Sequence, residues 1–393
     1  MAFEPDASHS GSDPRLAGGR LTVDLDALVH NYRALAGRSP SARVAGVVKG
    51  DGYGLGAAKV AGALWRAGCR TFFVALPAEG IALRAALPDA QIFVLNGLFG
   101  PEAVPAYGAH RLIPMLGSQG DISCWEAYGW DSDVPRPCAI HVDTGMNRLG
   151  LSLDEARSFA AENALTGAIT PLLLISHLAC GDAPDHPMNR QQLESFQAVR
   201  QIFPEIESSL SNSAGTFLGP DFAFDLVRPG IALYGGGAGP HSAGVVKPVA
   251  TAEARVVQIR RAQTGDTVSY GGSQRLTRDT TIAVASVGYA DGYHRSGSGA
   301  GVPLREAVAN GGFGFLHGQR VPVLGRVTMD LTLFDVTDLA PGVLAQGDWI
   351  EVFGPNVPID EAATAAGTIA YELLTSLGQR YHRRYVGGES STE

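Results

Sequence analysis

Lys49 directly follows an apolar run at residues 44–48, and glycines stand at positions 50, 52, 54 and 56 after it. Only three of the 30 basic residues are lysines, and lysine, unlike arginine, can lose its proton in a protein. An amine partly removed from water has a lowered pKa and can form a Schiff base. Glycines let the backbone approach a ligand closely, and Tyr53 supplies a hydroxyl for a phosphate. The same residues also suit an ordinary loop after a lysine that extends to water, so both interpretations stay open here.

Further polar residues follow other apolar runs. They are Asp143 and Arg148 after residues 138–142, His177 after 172–176, Asn212 and Ser213 after 207–211, and Arg228 at the end of 224–228. If these runs are strands of a barrel, their carboxyl ends bring the side chains to one mouth together with Lys49. The last strands of such barrels often bind phosphate, which Ser213 and nearby backbone N–H groups would suit. Taken singly, Ser213 also suits a helix N-cap, His177 a core residue and Arg228 an ion pair.

These polar residues need a scaffold that brings strand ends together, and the first two-thirds of the chain has such a pattern. Short apolar runs alternate there with helix-like stretches such as 57–67, 78–86 and 189–203. The runs predicted as strands are 44–48, 71–75, 91–95, 111–115, 138–142, 172–176, 207–211 and 224–228. Strands that alternate with helices in this number predict a (β/α)8 TIM-type barrel. A preceding helix, capped by Asp24 or Asp26, is expected to end near Ala36 with Gly37 as its stop.

The pattern changes near residue 244. From 252 to 353, short alternating segments separated by Gly and Asp clusters predict a small antiparallel β domain. A helix at 360–376 and a strand at 383–386 are expected to close it, and the stretch 21–25 is a candidate additional strand. The Gly-rich segment 298–316 is expected to be a loop. The predicted organisation is a disordered tail at 1–19, a barrel at 20–244 and a C-terminal β domain at 245–393.

Composition argues against several classes of protein. With 30 basic and 39 acidic residues the formal net charge is −9, which disfavours a nucleic-acid partner or a polybasic membrane contact. No apolar run reaches the ~18 residues of a membrane span, and residues 1–19 lack the features of a secretory signal. The four cysteines are widely spaced and favour free thiols in a reducing cytoplasm. No metal-ligand spacing surrounds His177, so we expect no metal site.

Seven motifs stand in order along the chain: VVKGDGYGLG (47–56), HVDTGMNRLG (141–150), ISHLACGD (175–182), SNSAGT (211–216), VRPGIALYG (227–235), VGYADGYHR (287–295) and GRVTMD (325–330). Together they resemble the pyridoxal-phosphate-dependent alanine racemase family over about residues 20–386. The resemblance implies a cytoplasmic homodimer with shared active sites that interconverts L-alanine and D-alanine. It also implies that the product D-alanine serves peptidoglycan synthesis.

The resemblance implies roles for the barrel motifs. Lys49 matches the lysine that holds pyridoxal phosphate as a Schiff base, and Arg228 matches the arginine that faces the pyridine nitrogen. Because an arginine does not give up its proton, the ring nitrogen should stay unprotonated, which disfavours transamination. The residues that the resemblance places around the cofactor and its phosphate are Tyr53, Asn212, Ser213, Gly230 and Ile231.

The resemblance also implies two catalytic bases on opposite faces of the substrate. Lys49 would act on the D-enantiomer, and Tyr289, delivered by the other subunit, on the L-enantiomer. A phenol with an ordinary pKa near 10 is a poor base at neutral pH, and His177, linked to Arg228, matches its hydrogen-bonding partner. The residues matched to carboxylate binding are Arg148, which also touches the cofactor phenolate oxygen, and Met329 of the other subunit, through its backbone N–H.

Two departures from the family pattern bear on the site, and a third, Leu55 where many members have histidine, is expected to have little effect. Many members carry, seven residues before Arg148, a lysine modified to a carbamate that orients the arginine. Here that residue is His141, so Arg148 must be held by a bound anion or a neighbouring group. Some members place a tyrosine near the C-terminus against the phosphate and substrate, and here Gln379 stands at that position.

Three alternatives accompany this interpretation. A broad-specificity or serine racemase on the same fold stays open, because the sequence does not reveal the volume of the pocket. A non-catalytic pyridoxal phosphate carrier generally lacks the β domain and the segment of Tyr289. An amino-acid decarboxylase on a related architecture is expected to use a cysteine in its second domain, and no cysteine follows Cys180.

Overall fold

The computed structural model describes residues 13–128, 136–166, 169–304 and 311–388. They form two compact units, one of residues 28–247 and one that joins the described residues before 28 to residues 248–388. Residues 1–12 of the expected tail lie outside the described residues. Residues 13–18 form a turn, and Gly19 begins the first strand.

β1 (Gly19–Asp24) leads directly into α1 (Leu25–Arg38). Of the two candidate caps, Asp24 caps this helix: its Oδ1 accepts the backbone N–H groups of Asp26 and Ala27, both at 2.9 Å. The predicted stop at Gly37 is wrong, because α1 continues to Arg38. A glycine ends a helix where it adopts a positive φ, and Gly37 does not.

The unit of residues 28–247 is built on short parallel strands. They are β2 (Arg43–Val44), β3 (Gly46–Val47), β4 (Thr71–Val74), β5 (Gln91–Val94), β6 (Ile113–Leu116), β7 (Arg136–His141), β8 (Ile169–Ile175), β9 (Glu207–Ser209) and β10 (Leu226–Val227). β3 to β9 form one seven-stranded sheet in chain order, and every neighbouring pair is parallel. Every predicted run overlaps at least one of these strands.

β10 closes this sheet into a ring. It pairs in parallel with β2 on one side, and Ala45, between β2 and β3, donates its N–H to Val227 O at 2.9 Å. On the other side, Asp225 N–H donates to Ser208 O of β9 at 3.1 Å. With β2 and β3 as two parts of one strand, the predicted (β/α)8 barrel is confirmed.

Helices follow most of the barrel strands. They are α3 (Ala57–Arg66), α4 (Pro77–Ala86), α5 (Val104–Ala109), α6 (Gln119–Ala127), α7 (Leu153–Thr166) and α8 (Pro187–Ile202), while the segment labelled α2 (Lys49–Tyr53) is a single turn with left-handed backbone angles. The longer ones are amphipathic: α3 buries Val60, Ala61 and Leu64, which share one face at helical spacing. β4 is buried throughout, as expected of a parallel strand covered on both faces. Among the described residues, no helix has the length and apolar content that a membrane crossing needs.

The other unit is a β structure with two short helices. Its remaining elements are β11 (Ala250–Ala262), β12 (Thr267–Val268), β13 (Gln274–Arg275), β14 (Thr280–Ala285), β15 (Phe313–Leu316), β16 (Gln319–Leu324), β17 (Thr332–Asp335), β18 (Trp349–Phe353), α9 (Ile359–Ala365), α10 (Ala370–Thr375) and β19 (Tyr381–Val386). The eight-stranded sheet has the order β14-β17-β16-β15-β18-β11-β1-β19, and β11 also pairs with β14. β1 pairs antiparallel with β11 and parallel with β19, so the candidate stretch 21–25 is a strand of this unit.

Two expectations for this unit are wrong. The helix expected at 360–376 is two helices, because Gly367 between them has φ +64° and breaks the helical path. The Gly-rich segment 298–316, of which residues 305–310 lie outside the described residues, is not all loop, since its end forms β15. Gly314 within β15 packs against the side chain of Ile350, where a Cβ would collide, so glycine there reflects close packing.

Candidate active site

The carboxyl ends of the barrel strands surround a cavity of about 550 Å³ in the barrel unit. Four of the polar residues expected to converge line it together, namely Lys49 after β3, Arg148 after β7, His177 after β8 and Arg228 after β10. Its other walls are mostly apolar and include Leu95, Phe99, Met115, Leu149 and Ile175. With His141, which also lines it, the cavity combines one amine, two guanidinium groups and two imidazoles with an apolar wall, which suits a small organic anion.

Lys49 opens a left-handed turn. The five residues after it, from Gly50 to Gly54, all have φ between 52° and 77°. The turn is closed by the Gly52 N–H, which donates to Val48 O at 2.8 Å. Only glycine adopts this conformation without cost, which explains the alternating glycines and leaves Asp51 and Tyr53 strained. Such strain is typical of functional sites.

Glu79 of α4 anchors the backbone beside Lys49. Its Oε1 accepts the Gly50 N–H at 2.7 Å, and its Oε2 accepts the N–H groups of Ala75 and Leu76 at 2.8 and 3.1 Å. Removal from water and the positive charge of Arg148 lower the pKa of Lys49, while Glu79 opposes this shift. A lowered pKa increases the fraction of neutral, nucleophilic amine at neutral pH.

Arg228, which lines the same cavity as Lys49, is almost fully buried. Its guanidinium donates to Ser209 Oγ and, at 2.6 Å, to Ser176 O. Burial lowers the pKa of Arg228 to about 9, which leaves it protonated at neutral pH. Burial, and then the charge of Arg228, lower the pKa of His177 well below its usual value, so the imidazole is neutral. Asn212 Nδ2 lies 3.4 Å from Nε2 of this ring.

Ser213, Gly230 and Tyr53 form a small cradle. Ser213 Oγ accepts the N–H groups of Gly230 and Ala232 at 2.8 and 3.3 Å. Gly230 has no room for a Cβ, which would collide with the phenol oxygen of Tyr53. Ile231, which follows, is fully buried and begins a 3₁₀ turn. The cradle therefore concentrates two hydroxyls and several backbone N–H groups in a space that only a glycine leaves open.

Ser213 is not the helix N-cap that the sequence also suggested. The segment that follows is only a short 3₁₀ turn, Gly215–Phe217, and Asn212 contacts its start through Oδ1, which accepts the Gly215 N–H at 3.0 Å. Tyr53 stacks on Tyr234 with ring centroids 4.5 Å apart, which fixes the orientation of the Tyr53 hydroxyl. Tyr234 donates in turn to Val47 O at 2.9 Å.

Tyr289 and Met329 lie together on the surface of the β unit. Tyr289 is 44% exposed and Met329 52% exposed. The N–H of Tyr289 donates to Thr328 O at 3.0 Å, and the N–H of Ala290 donates to Met329 O at 3.1 Å. Gly288 allows this approach, because a Cβ there would collide with the backbone of Thr328 and Met329. Two exposed turns are thus held side by side.

His141 and Gln379, the two departures from the family pattern, have different settings. His141 is 7% exposed in the cavity wall. Burial and the charges of Arg228 and Arg148 lower its pKa to about 4, so it carries no charge near neutral pH. Among the described residues, no carboxylate forms an ion pair with Arg148, so an anionic ligand is free to bind it. Gln379 is exposed just before β19.

Residues that the sequence did not single out support the site from behind. Glu79 and Ser209 contact the backbone and side chains described above, and Gln192 donates to His177 O at 2.9 Å while accepting the Ala179 N–H at 2.8 Å. Glu79 alone had a local signal, since a glutamate at the third position of a helix can accept the backbone N–H of the residue before the helix, here Leu76 at 3.1 Å.

Comparison with known proteins decides the family. The model of the alanine racemase N-terminal domain matches residues 23–238, and that of the C-terminal domain matches residues 249–385. The chain belongs to the alanine racemase family. The resemblance inferred from its motifs is confirmed.

Relatives within the family cover nearly the whole chain. The alanine racemase of Rhizobium meliloti (strain 1021) is 53% identical over 95% of this chain and 98% of the relative. The biosynthetic alanine racemase of Agrobacterium fabrum is 55% identical over 93% of each chain. A crystal structure of alanine racemase from Bartonella henselae, with covalently bound pyridoxal phosphate, is 39% identical. It covers 94% of this chain and 100% of its own, with a TM-score of 0.85.

Proposed function

We propose that this protein interconverts L-alanine and D-alanine with pyridoxal phosphate as its cofactor. The observation that carries the proposal is Lys49, an amine of lowered pKa in a cavity at the carboxyl ends of the barrel strands. The high identity to named alanine racemases supports the reaction and the substrate.

The residues present fit this cofactor. Gly230 leaves a cradle that a Cβ would fill, and Ser213 and Tyr53 bring hydroxyls to it, which suits a phosphate. Lys49 would hold the cofactor covalently, with Asn212 and Ile231 as further contacts. When bound, the cofactor stabilises negative charge at the substrate α-carbon, so that its proton can leave.

Arg228 would face the ring nitrogen of the cofactor. Its pKa of about 9 keeps its proton on the guanidinium at neutral pH. It can therefore donate a hydrogen bond without transferring the proton, which limits the electron withdrawal that would favour transamination. His177, kept neutral by burial and by Arg228, would then act as a hydrogen-bonding partner rather than as a cation.

Racemisation needs proton transfer on both faces of the α-carbon. Lys49 would move the proton on the D face through Nζ, and Tyr289 on the L face through its phenol oxygen. The exposure of Tyr289 and Met329 supports their delivery to the cavity of a second copy, as a homodimer with shared sites. Arg148 and the backbone N–H of Met329 would bind the substrate carboxylate.

The biological setting follows from the same relatives. The 55% identity to a biosynthetic racemase supports a role in supplying D-alanine for peptidoglycan. The four cysteines are free thiols, which supports a reducing cytoplasm. A broad-specificity or serine racemase is the alternative.

Chiral chromatography of a panel of L-amino acids, incubated with purified protein and pyridoxal phosphate, tests the proposal. D-alanine is expected to form well ahead of D-serine and all other products. Comparable rates with larger or basic amino acids would replace alanine with a broad substrate range. Absence of any D-product from protein that retains the cofactor would contradict the proposed function.

A further inference from the structure

Arg380 lies between the two exposed turns that carry Tyr289 and Met329. Its Nε and Nη2 donate to the two carboxylate oxygens of Asp291 at 2.7 and 2.8 Å. Its Nη1 donates to Asp330 at 2.7 Å. Asp291 stands two residues after Tyr289, and Asp330 directly follows Met329. One guanidinium therefore connects both turns.

The Asp291 carboxylate also closes its own turn. Its side chain is 10% exposed, and Oδ2 accepts the Gly288 N–H at 2.9 Å. The carboxylate thus connects the residue before Tyr289 to Arg380. A bidentate arginine–carboxylate pair fixes direction as well as distance, so the position of Arg380 determines the orientation of this turn.

Arg380 comes from a segment that already packs on the Tyr289 turn. Gly378 N–H donates to Asp291 O at 3.0 Å, and a Cβ on Gly378 would lie 2.8 Å from Ala290 O. On the other side, a Cβ on Gly292 would collide with the backbone of Ser376. The two segments touch backbone to backbone, so a change at Arg380 is transmitted to the turn and not absorbed by flexible side chains.

We propose that Arg380 is a positioning residue of the racemase: it fixes the phenol of Tyr289 relative to the backbone N–H of Met329. This inference rests on the proposed function. The side chains of Arg380 and Asp330 are 51% and 57% exposed, and exposed ion pairs contribute little to stability. The contact with Asp330 therefore affects geometry more than folding, whereas the contact with Asp291 involves a carboxylate that is only 10% exposed, so folding is checked for each variant. Arg380 does not touch the reacting atoms and acts through the two turns.

The matched control is Arg278 in the same unit. Its guanidinium also forms a bidentate pair, with Nη1 and Nη2 both 2.8 Å from the oxygens of Asp338, and it also contacts Asp335 at 3.1 Å. Its side chain is 48% exposed, close to that of Arg380. Arg380→Gln and Arg278→Gln are compared as cofactor-loaded enzymes, each in D₂O with L-alanine or D-alanine.

Arg380→Gln is expected to lower kcat/KM by on the order of 100-fold, because misplacing a reacting group by about 1 Å has that effect. The loss must be equal in both directions, since the equilibrium constant between enantiomers is one. The incorporation of deuterium into the remaining substrate, in contrast, differs between the two enantiomers. Lys49 still exchanges the α-proton of D-alanine while the Tyr289 step is slow, so residual D-alanine gains deuterium faster than L-alanine forms. L-alanine shows no such excess, and Arg278→Gln behaves as wild type.

Equal loss of exchange and conversion with both enantiomers in Arg380→Gln would overturn the proposal, and so would wild-type rates. If Arg380→Gln does not fold, Arg380→Lys decides: it keeps the charge without the bidentate fork, and must show the same excess exchange into D-alanine in weaker form. If Arg380→Lys shows no excess exchange into D-alanine, the proposal is overturned. A wild-type enzyme that does not racemise alanine would instead refute the proposed function, and this inference with it.

Discussion

Nη2 of Arg228 lies 3.5 Å from Nδ1 of His177. A guanidinium only donates hydrogen bonds, and the amide nitrogen Asn212 Nδ2, another donor, lies 3.4 Å from Nε2 of the same ring. The neutral imidazole therefore faces a donor at each nitrogen and can accept a hydrogen bond from only one of them. Among the described residues, no carboxylate forms an ion pair with Arg228, although it is only 4% exposed. The barrel unit thus holds a buried positive charge whose hydrogen bonds go to the Ser209 hydroxyl and to backbone carbonyl groups such as that of Ser176.

Lys49→Ala is expected to abolish covalent retention of pyridoxal phosphate. The chain has three lysines, so borohydride reduction followed by peptide mapping distinguishes them directly. The label should lie on the peptide of Lys49 in the wild type and disappear in Lys49→Ala, while Lys59→Ala retains it. A label that survives in Lys49→Ala would refute the assignment of this lysine.

Gly230→Ala is expected to weaken cofactor binding about tenfold to a hundredfold, because overpacking a filled site costs roughly 1–3 kcal/mol. The added Cβ would collide with the Tyr53 phenol oxygen in the phosphate cradle. Fluorescence titration of the stripped protein with pyridoxal phosphate measures the change. Gly37→Ala is the control, since a Cβ there meets no atom within 4 Å. Equal affinities in the two variants would show that the cradle does not bind the phosphate.

A mixture of Lys49→Ala and Tyr289→Phe chains is expected to regain activity that neither variant has alone. In a mixed dimer with shared sites, one site receives both wild-type residues and the other receives neither. Random reassortment of subunits should restore about a quarter of the wild-type rate. Each variant, unfolded and refolded alone, is the control. No recovery from chains that demonstrably exchange subunits would contradict a site shared between subunits.

Much of the barrel and its cavity was predictable because two local rules apply. Apolar runs of strand length mark the barrel strands, and the residue just after each run lies at the carboxyl end, where Lys49, His177 and Arg228 were sought. Both rules use only the amino-acid sequence in and next to each strand. Gly314 shows where a prediction from composition fails. The side chain of Ile350 leaves no room for a Cβ there, but in the sequence this glycine cannot be distinguished from a glycine in a loop.

Contacts between distant segments had no such signal. Glu79 reaches Gly50 across 29 positions, and Arg380 reaches Asp291 across 89. Each pair depends on how two elements pack, which the pattern within either element does not contain. The left-handed turn after Lys49 was visible only as alternating glycines, which equally suit an ordinary loop.

His141 should make the protein lose stability as the pH falls. Its pKa is about 4 in the folded chain and near 6.5 when unfolded. The unfolded state therefore binds more protons between these values, and the free energy of unfolding decreases as the pH falls from 6.5 to 4, by about 3 kcal/mol in all. His141→Asn removes this titration, so its stability should fall less steeply over the same range.

Urea unfolding of the cofactor-free proteins at equal concentration, from pH 7.5 to pH 5, measures the difference. His241→Asn replaces an exposed histidine of the same unit and should retain the pH dependence of the wild type. His177 contributes to the pH dependence of both proteins, but the charge of His141 is the last of the causes that lower its pKa, so the comparison also contains a small change at His177. Parallel loss of stability in wild type and His141→Asn would mean that the folded chain does not lower the pKa of this imidazole, which would then be protonated as the pH falls below 6.5. It would then supply positive charge beside Arg148 and require an anion between them.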